Sequence, residues 1–269
     1  MMSQALTDTY RHDEMAGTFA SLRKQAMQLQ EDLPNLVNDI KPKSKDIVDA
    51  VKATSRVTGP LRVVVEVFAW STVLVFASTI GSFAGSYIIG PFLSILFGKF
   101  LSVLFAYFLI PVAAHAVVKN KERHYESDNQ IRTMLLATAL TQGALAGYTI
   151  DHLYLSGQPL AFVTPAVVSV AYTVAVRQFH GDRFRIIGAS LGAALLVNMI
   201  LGIMIVENSV SYQFLTLGYC GIAGIVMQLV FYDAQSRSQS RGYVYQNALN
   251  SMYLLFKGAT FYCFGTYIE

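Results

Sequence analysis

The residues of this chain that could do chemistry are ionisable and amide side chains standing inside long apolar runs: Glu66, Lys99, His115, Asp151, His152, Asn198, Asp233, Asn247, Asn250 and Lys257. A charge at the bilayer centre costs roughly 2.5–3.5 kcal/mol on insertion scales, so groups in such runs are candidates for ion passage or proton exchange. Depth separates them. Glu66 lies one turn into the first run, close to an interface. Lys99 stands eight residues past Pro91, roughly 12 Å along a helix. It either snorkels to the near surface or faces the bundle and pairs with a carboxylate. His115 stands four residues before Lys119, where it snorkels or caps, and Asp151 and His152 close the third run. Asp233 ends the sixth run in LVFYDAQ, where a negative charge at a helix C-terminus calls for a compensating partner. The sequence has no HExxH, GxSxG or P-loop, and neither Cys220 nor Cys263 pairs with a histidine at catalytic spacing. The expectation is a protein that is not an enzyme and holds no cofactor.

These residues need elements that cross a membrane. Of 269 residues, 54% are hydrophobic and only 14% charged, against about 25% charged in soluble domains. The apolar residues fall in blocks near the ~20 residues that span ~30 Å of hydrocarbon. The blocks run from Arg62 to Ser82, Phe92 to Val118, Ile131 to Leu153, Leu160 to Val176, Ile186 to Val206 and Phe214 to Tyr232, with a weaker seventh from Tyr243 to Ile268. The predicted fold is an all-α polytopic bundle of six or seven transmembrane helices, the seventh segment either spanning as a central helix or re-entering. Residues 1–60 form a polar arm and residues 61–269 the membrane domain. Two amphipathic helices are expected in the arm, at 15–33 and 44–56, on the membrane surface, on the domain or on a partner.

The loop charges assign the sides. Lys41, Lys43, Lys45, Lys52 and Arg56 stand in the arm; Lys119, Lys121, Arg123 and Arg132 follow the second block. Arg177, Arg183 and Arg185 follow the fourth, and Arg237 and Arg241 the sixth. The loops after the first, third and fifth blocks carry no Lys or Arg up to the edge of the next block. By the positive-inside rule the arm is cytosolic. Glycines four apart, Gly81 with Gly85, Gly143 with Gly147 and Gly188 with Gly192, predict close helix packing.

The stretch AGIVMQLVFYDAQSRSQSRGYVYQNALNSMYLLF, with ALAGYTIDHLY and FVTPAVVSVAYTVAV upstream, resembles the Bax inhibitor motif family. Tyr232, Asp233 and Gln235 match that family's span-ending motif, and Tyr243, Val244, Ala248, Leu249 and Phe256 its seventh segment. The resemblance covers about residues 60–268. It implies an endomembrane protein, in the endoplasmic reticulum for example, that modulates cell death by letting calcium leak as the permeant ion. It also implies cell-death regulatory membrane proteins as partners, beside the lipid bilayer, with no nucleic acid. Residue by residue it carries over only Asp233, with Lys99 as a latch cation by position; Glu66, Asp151 and Asn250 complete the candidate ion-pathway and pH-sensing set as polar groups in apolar runs. The family's second aspartate is absent: its region reads Asn250, Ser251, Met252, Tyr253, Leu254. That departure supports the alternative, a non-conducting membrane adaptor of the same fold that acts through protein partners. A secondary transporter would show an internal repeat, and none is evident.

Overall fold

The first apolar block folds as α1, Arg62–Tyr87, whose backbone groups are satisfied along the helix. The computed structural model describes residues 62–96, 98–124, 127–204, 209–235 and 242–267, together with Val48. Contacts divide the chain into Met1–Lys52 and Ala53–Glu269, and every described residue except Val48 belongs to the second unit. Apart from Val48, the arm helices expected at 15–33 and 44–56 lie outside the described residues, as do the arm's basic residues, Arg237 and Arg241.

After α1 come α2 (Gly90–Leu96), α3 (Lys99–Leu104), a π-helical turn (Phe105–Leu109) and α4 (Ile110–Arg123). The second block is therefore interrupted, where one helix was expected. Pro111 accounts for the π turn: it lacks an N–H, and its ring crowds the carbonyl one turn back, so the helix widens just before it. Then follow α5 (Asp128–Ile150), β1 (Leu153–Tyr154), α6 (Val163–Gln178), α7 (Arg183–Met204), α8 (Val210–Gln235), α9 (Tyr243–Phe264) and β2 (Thr266–Tyr267). The two short strands pair antiparallel, Leu153 opposite Tyr267 and Tyr154 opposite Thr266. This ribbon was not foreseen.

The segments alternate in direction. Glu66 stands beside Arg132 and Ser86 donates to the Gly147 carbonyl, so α1 and α5 run parallel. Arg183 meets Gln228 while Tyr212 reaches Asn198, so α7 and α8 are antiparallel. Tyr219 stacks on Tyr253 and Phe214 on Phe256, so α8 and α9 are antiparallel too. The 22 residues of α9 extend about 33 Å, from the Arg132 end to the ribbon. This helix is continuous and packs on α1, α4, α5 and α8.

Among the described residues four stretches are long and apolar enough to cross a membrane: Arg62–Tyr87, Lys99–Glu122, Arg183–Met204 and Val210–Ala234. Fewer segments qualify than the blocks predicted. Of the others, α6 has only 16 residues, and α5 and α9 carry polar side chains on faces turned into the bundle. Apolar side chains fill the core, as Phe68, Leu215 and Met227 do, and also cover much of the outside. Gln142, Asn198, Gln246 and Asn250 are buried, while Ile95, Phe100 and Phe184 are each more than 80% exposed. Water-soluble monomers rarely show such continuous apolar surface.

Two glycine pairs do what their spacing predicts. A Cβ on Gly81 or Gly85 would overlap the backbone carbonyl of Leu140 or Ala144, and one on Gly143 or Gly147 that of Ser78 or Ser82. The α1 and α5 backbones thus touch along a seam that no larger residue permits.

Candidate functional site

The polar residues of the bundle collect in three places: a charged cluster at each end and an uncharged layer between them. At the end where α1, α5 and α9 begin or are entered from basic loops, Arg132 pairs with Glu66. Its guanidinium lies 4.3 Å from the centre of the Trp70 ring and 5.9 Å from that of Tyr243. The planar cation is thereby held by a carboxylate and by aromatic faces, each favourable to it. Asp233, which closes α8, belongs to this end and is hydrogen-bonded by the Tyr245 hydroxyl of α9.

At the opposite end Lys99 opens α3 and pairs with Asp151. Its ammonium also donates to the Tyr148 carbonyl at 3.2 Å, lies 3.2 Å from His152 Nδ1, and sits 4.9 Å from the centre of the Tyr148 ring. His152 in turn packs on Tyr262 and Tyr267, which ties the cluster to the C-terminal ribbon. Lys99 therefore faces a carboxylate, the second of the two options its position allowed, and that carboxylate is Asp151. Tyr245 and Tyr262, which mark the two ends on α9, are separated by about 25 Å along the helix. Lys99 is brought together with neither Asp233 nor Glu66, because α3 starts at the end where α5 finishes, and α8 finishes at the other.

Between the ends lies the uncharged layer. Gln142 on α5 donates to the Ala106 carbonyl in the π turn at 3.0 Å. Its own carbonyl oxygen accepts from Asn250 at 3.3 Å and Ser251 at 3.4 Å, both on α9. Asn247 donates to the Pro111 carbonyl at 3.4 Å. The tyrosine of the π turn, Tyr107, reaches from here toward the Lys99 end, its hydroxyl 3.2 Å from that of Thr149. Pro111, by widening its helix, thus shapes the stretch whose carbonyls the amides bind. Asn250 stands in this layer as a neutral hydrogen-bond partner. Gln142 was missed in the sequence because an amide in an apolar block looks like tolerated polarity; its burial between two helices gives it its role. A separate tie holds α6, α7 and α8, where Asn198 donates to Thr164 Oγ1 at 3.1 Å and Tyr212 donates to the Asn198 carbonyl at 2.6 Å.

The fold and these three polar levels define an all-α bundle with membrane-length apolar helices and its amides turned inward. Residues 2–267 match the family model described as Interactor of ZYG-11, and the chain belongs to that family. No curated protein and no solved structure matches it. The Bax inhibitor resemblance is corrected by this match. What carried it, apolar spans ending in Tyr-Asp and a tyrosine-rich last helix, is what any bundle with aromatic interfacial ends and a polar central helix can present. The residue pattern was shared; the family is another.

Proposed function

We propose that this chain is a multi-pass membrane protein that acts by binding protein partners at its cytosolic face, without conducting ions and without catalysis. The observation that carries the reading is the reach of the family match. It runs from residue 2 to residue 267, taking in the polar arm as well as the bundle, in a family described by an interaction. In this reading the seven alternating segments all cross. The arm and the basic ends lie in the cytosol, and the Lys99 cluster and the ribbon lie on the far side. A ZYG-11 protein, the partner in the family's description, is the first candidate for the cytosolic face.

The interior supports binding over conduction. A calcium path needs oxygen ligands of net negative charge at successive depths. Here the carboxylates Glu66 and Asp151 are paired with cations at opposite ends, and the level between offers amides and hydroxyls that bond one another. The bundle also carries a cation, Lys257, which repels a divalent ion.

The test is binding of a purified ZYG-11 protein to the full-length chain in nanodiscs. Saturable binding is expected, falling at least about tenfold when residues 1–60 are replaced by a neutral linker. No binding to the full-length chain would overturn the assignment of that partner. Undiminished binding after the replacement would overturn the role of the arm.

A further inference from the structure

Lys257 is the one Asp, Glu, Lys, Arg or His of α9, and it does not join either ionic cluster. Among the described residues its ammonium has no hydrogen-bond or ion-pair partner, and its one polar compensation is the Phe261 ring, 5.7 Å away at the centre. A lysine in low dielectric without a counter-charge is costly, and a single ring face offsets only part of that cost. It lines a cavity of about 230 Å³ bounded by α1, by the Gln158–Ala161 segment before α6, by Tyr219 of α8 and by α9.

The lining is mixed. It includes Ser82 and the exposed Gln158, whose side chains carry no hydrogen bond among the described residues. Both can donate to an anion, as the Lys257 ammonium can. The rest includes apolar side chains, the buried Val75 and Leu254 and the exposed Phe83 and Leu160. Phe83 is 65% exposed and Leu160 49% exposed, so the mouth opens sideways, between helices, onto the surface that carries the other outward-facing apolar side chains. Lys257 is seven residues from the end of α9, about 10 Å below it.

We propose that this cavity binds the carboxylate head of a fatty acid, with Lys257 as its counter-ion, Ser82 and Gln158 as further donors, and the acyl chain leaving past Phe83 and Leu160 into the bilayer. The volume decides for a small head. Sites that enclose a whole drug-sized ligand hold about 300–1,000 Å³. At 230 Å³ this one takes a carboxylate and its first methylenes. The depth agrees, since a lone carboxylate can be drawn below the headgroup level to meet a buried ammonium. The proposal rests on the membrane-spanning reading above; alkaline extraction of the same membranes tests that reading separately.

The experiment uses full-length protein in phosphatidylcholine nanodiscs and radiolabelled palmitate. One site per chain is expected above the partition into empty discs. Lys257→Gln is expected to weaken it at least about tenfold, and Lys257→Arg to keep most of it. Hexadecanol, which lacks the charge, and phosphatidylglycerol, which has the wrong head, should not displace the label. A second measurement survives a fold defect in the Lys257 variants. In a Phe83→Trp variant, brominated palmitate should quench the new mouth fluorescence more than that of the parent's single tryptophan, Trp70. Binding equal to empty discs, binding unchanged by Lys257→Gln, displacement by phosphatidylglycerol, or equal quenching of parent and Phe83→Trp would each overturn the proposal.

Discussion

Gly143 and Gly147 on α5 press against the backbone of α1, while Gly188 and Gly192 on α7 have, among the described residues, no neighbouring atom outside their own helix backbone within 4 Å of where a Cβ would stand. The spacing is the same and the use is opposite. In the seam, glycine is required because two backbones occupy the space a side chain would take. On α7 it is tolerated, in a helix that packs on α6 and α8 through Ile186, Ser190, Ala194 and Asn198 instead. Four-residue glycine spacing therefore shows that close packing is available, and the neighbouring helix decides whether it is used.

The largest break in that contrast is Gly143→Leu. Overpacking a core costs about 1–3 kcal/mol where side chains can shift, and here the obstacle is the Ser78 backbone. A loss of about 3 kcal/mol or more is expected, read as loss of folded protein in detergent size exclusion and as unfolding at lower denaturing-detergent fraction. Next comes Gln142→Leu, which leaves the Ala106 carbonyl and the Asn250 amide without their partner. An orphaned buried group costs about 1–3 kcal/mol, and interhelical hydrogen bonds in membranes average about 0.6, so about 2 kcal/mol is expected in the same unfolding assay. Lys99→Gln should cost less than about 1 kcal/mol, because Lys99 is 43% exposed and its pair is screened by water. Wild type and variant should converge in about 1 M salt, where the Debye length is about 3 Å. Smallest of all is Gly188→Leu, expected within about 0.5 kcal/mol of wild type; a loss comparable to that of Gly143→Leu would show that the α7 face is covered in the native protein.

Much of the helical architecture was legible in the length of the apolar blocks. The long apolar blocks marked an all-α chain, although among the described residues only four stretches are long and apolar enough to cross a membrane. The seam was legible as a spacing, though not its partner: nothing local to Gly143 names Ser78. The same limit applies to the polar groups. Lys99 and Asp151 were both visible as candidates, yet their pairing joins positions 52 apart in sequence and depends on α3 starting where α5 ends. The ribbon of Leu153–Tyr154 with Thr266–Tyr267 is two residues per strand, too short to leave a periodicity. The π turn was written in the sequence as Pro111, but its consequence, carbonyls met by Gln142 and Asn247, required knowing which helices lie against it. The resemblance failed for a related reason: interfacial tyrosines and span-ending aspartates report the solvent, and only an extended match reports descent.

The central claim is that this bundle binds and does not conduct. Calcium efflux from liposomes holding the purified full-length protein, followed from about pH 5 to 8, tests it most directly. The account predicts efflux no faster than from empty liposomes at every pH, with or without a bound ZYG-11 protein. Efflux above that baseline which Asp233→Asn abolishes would contradict it.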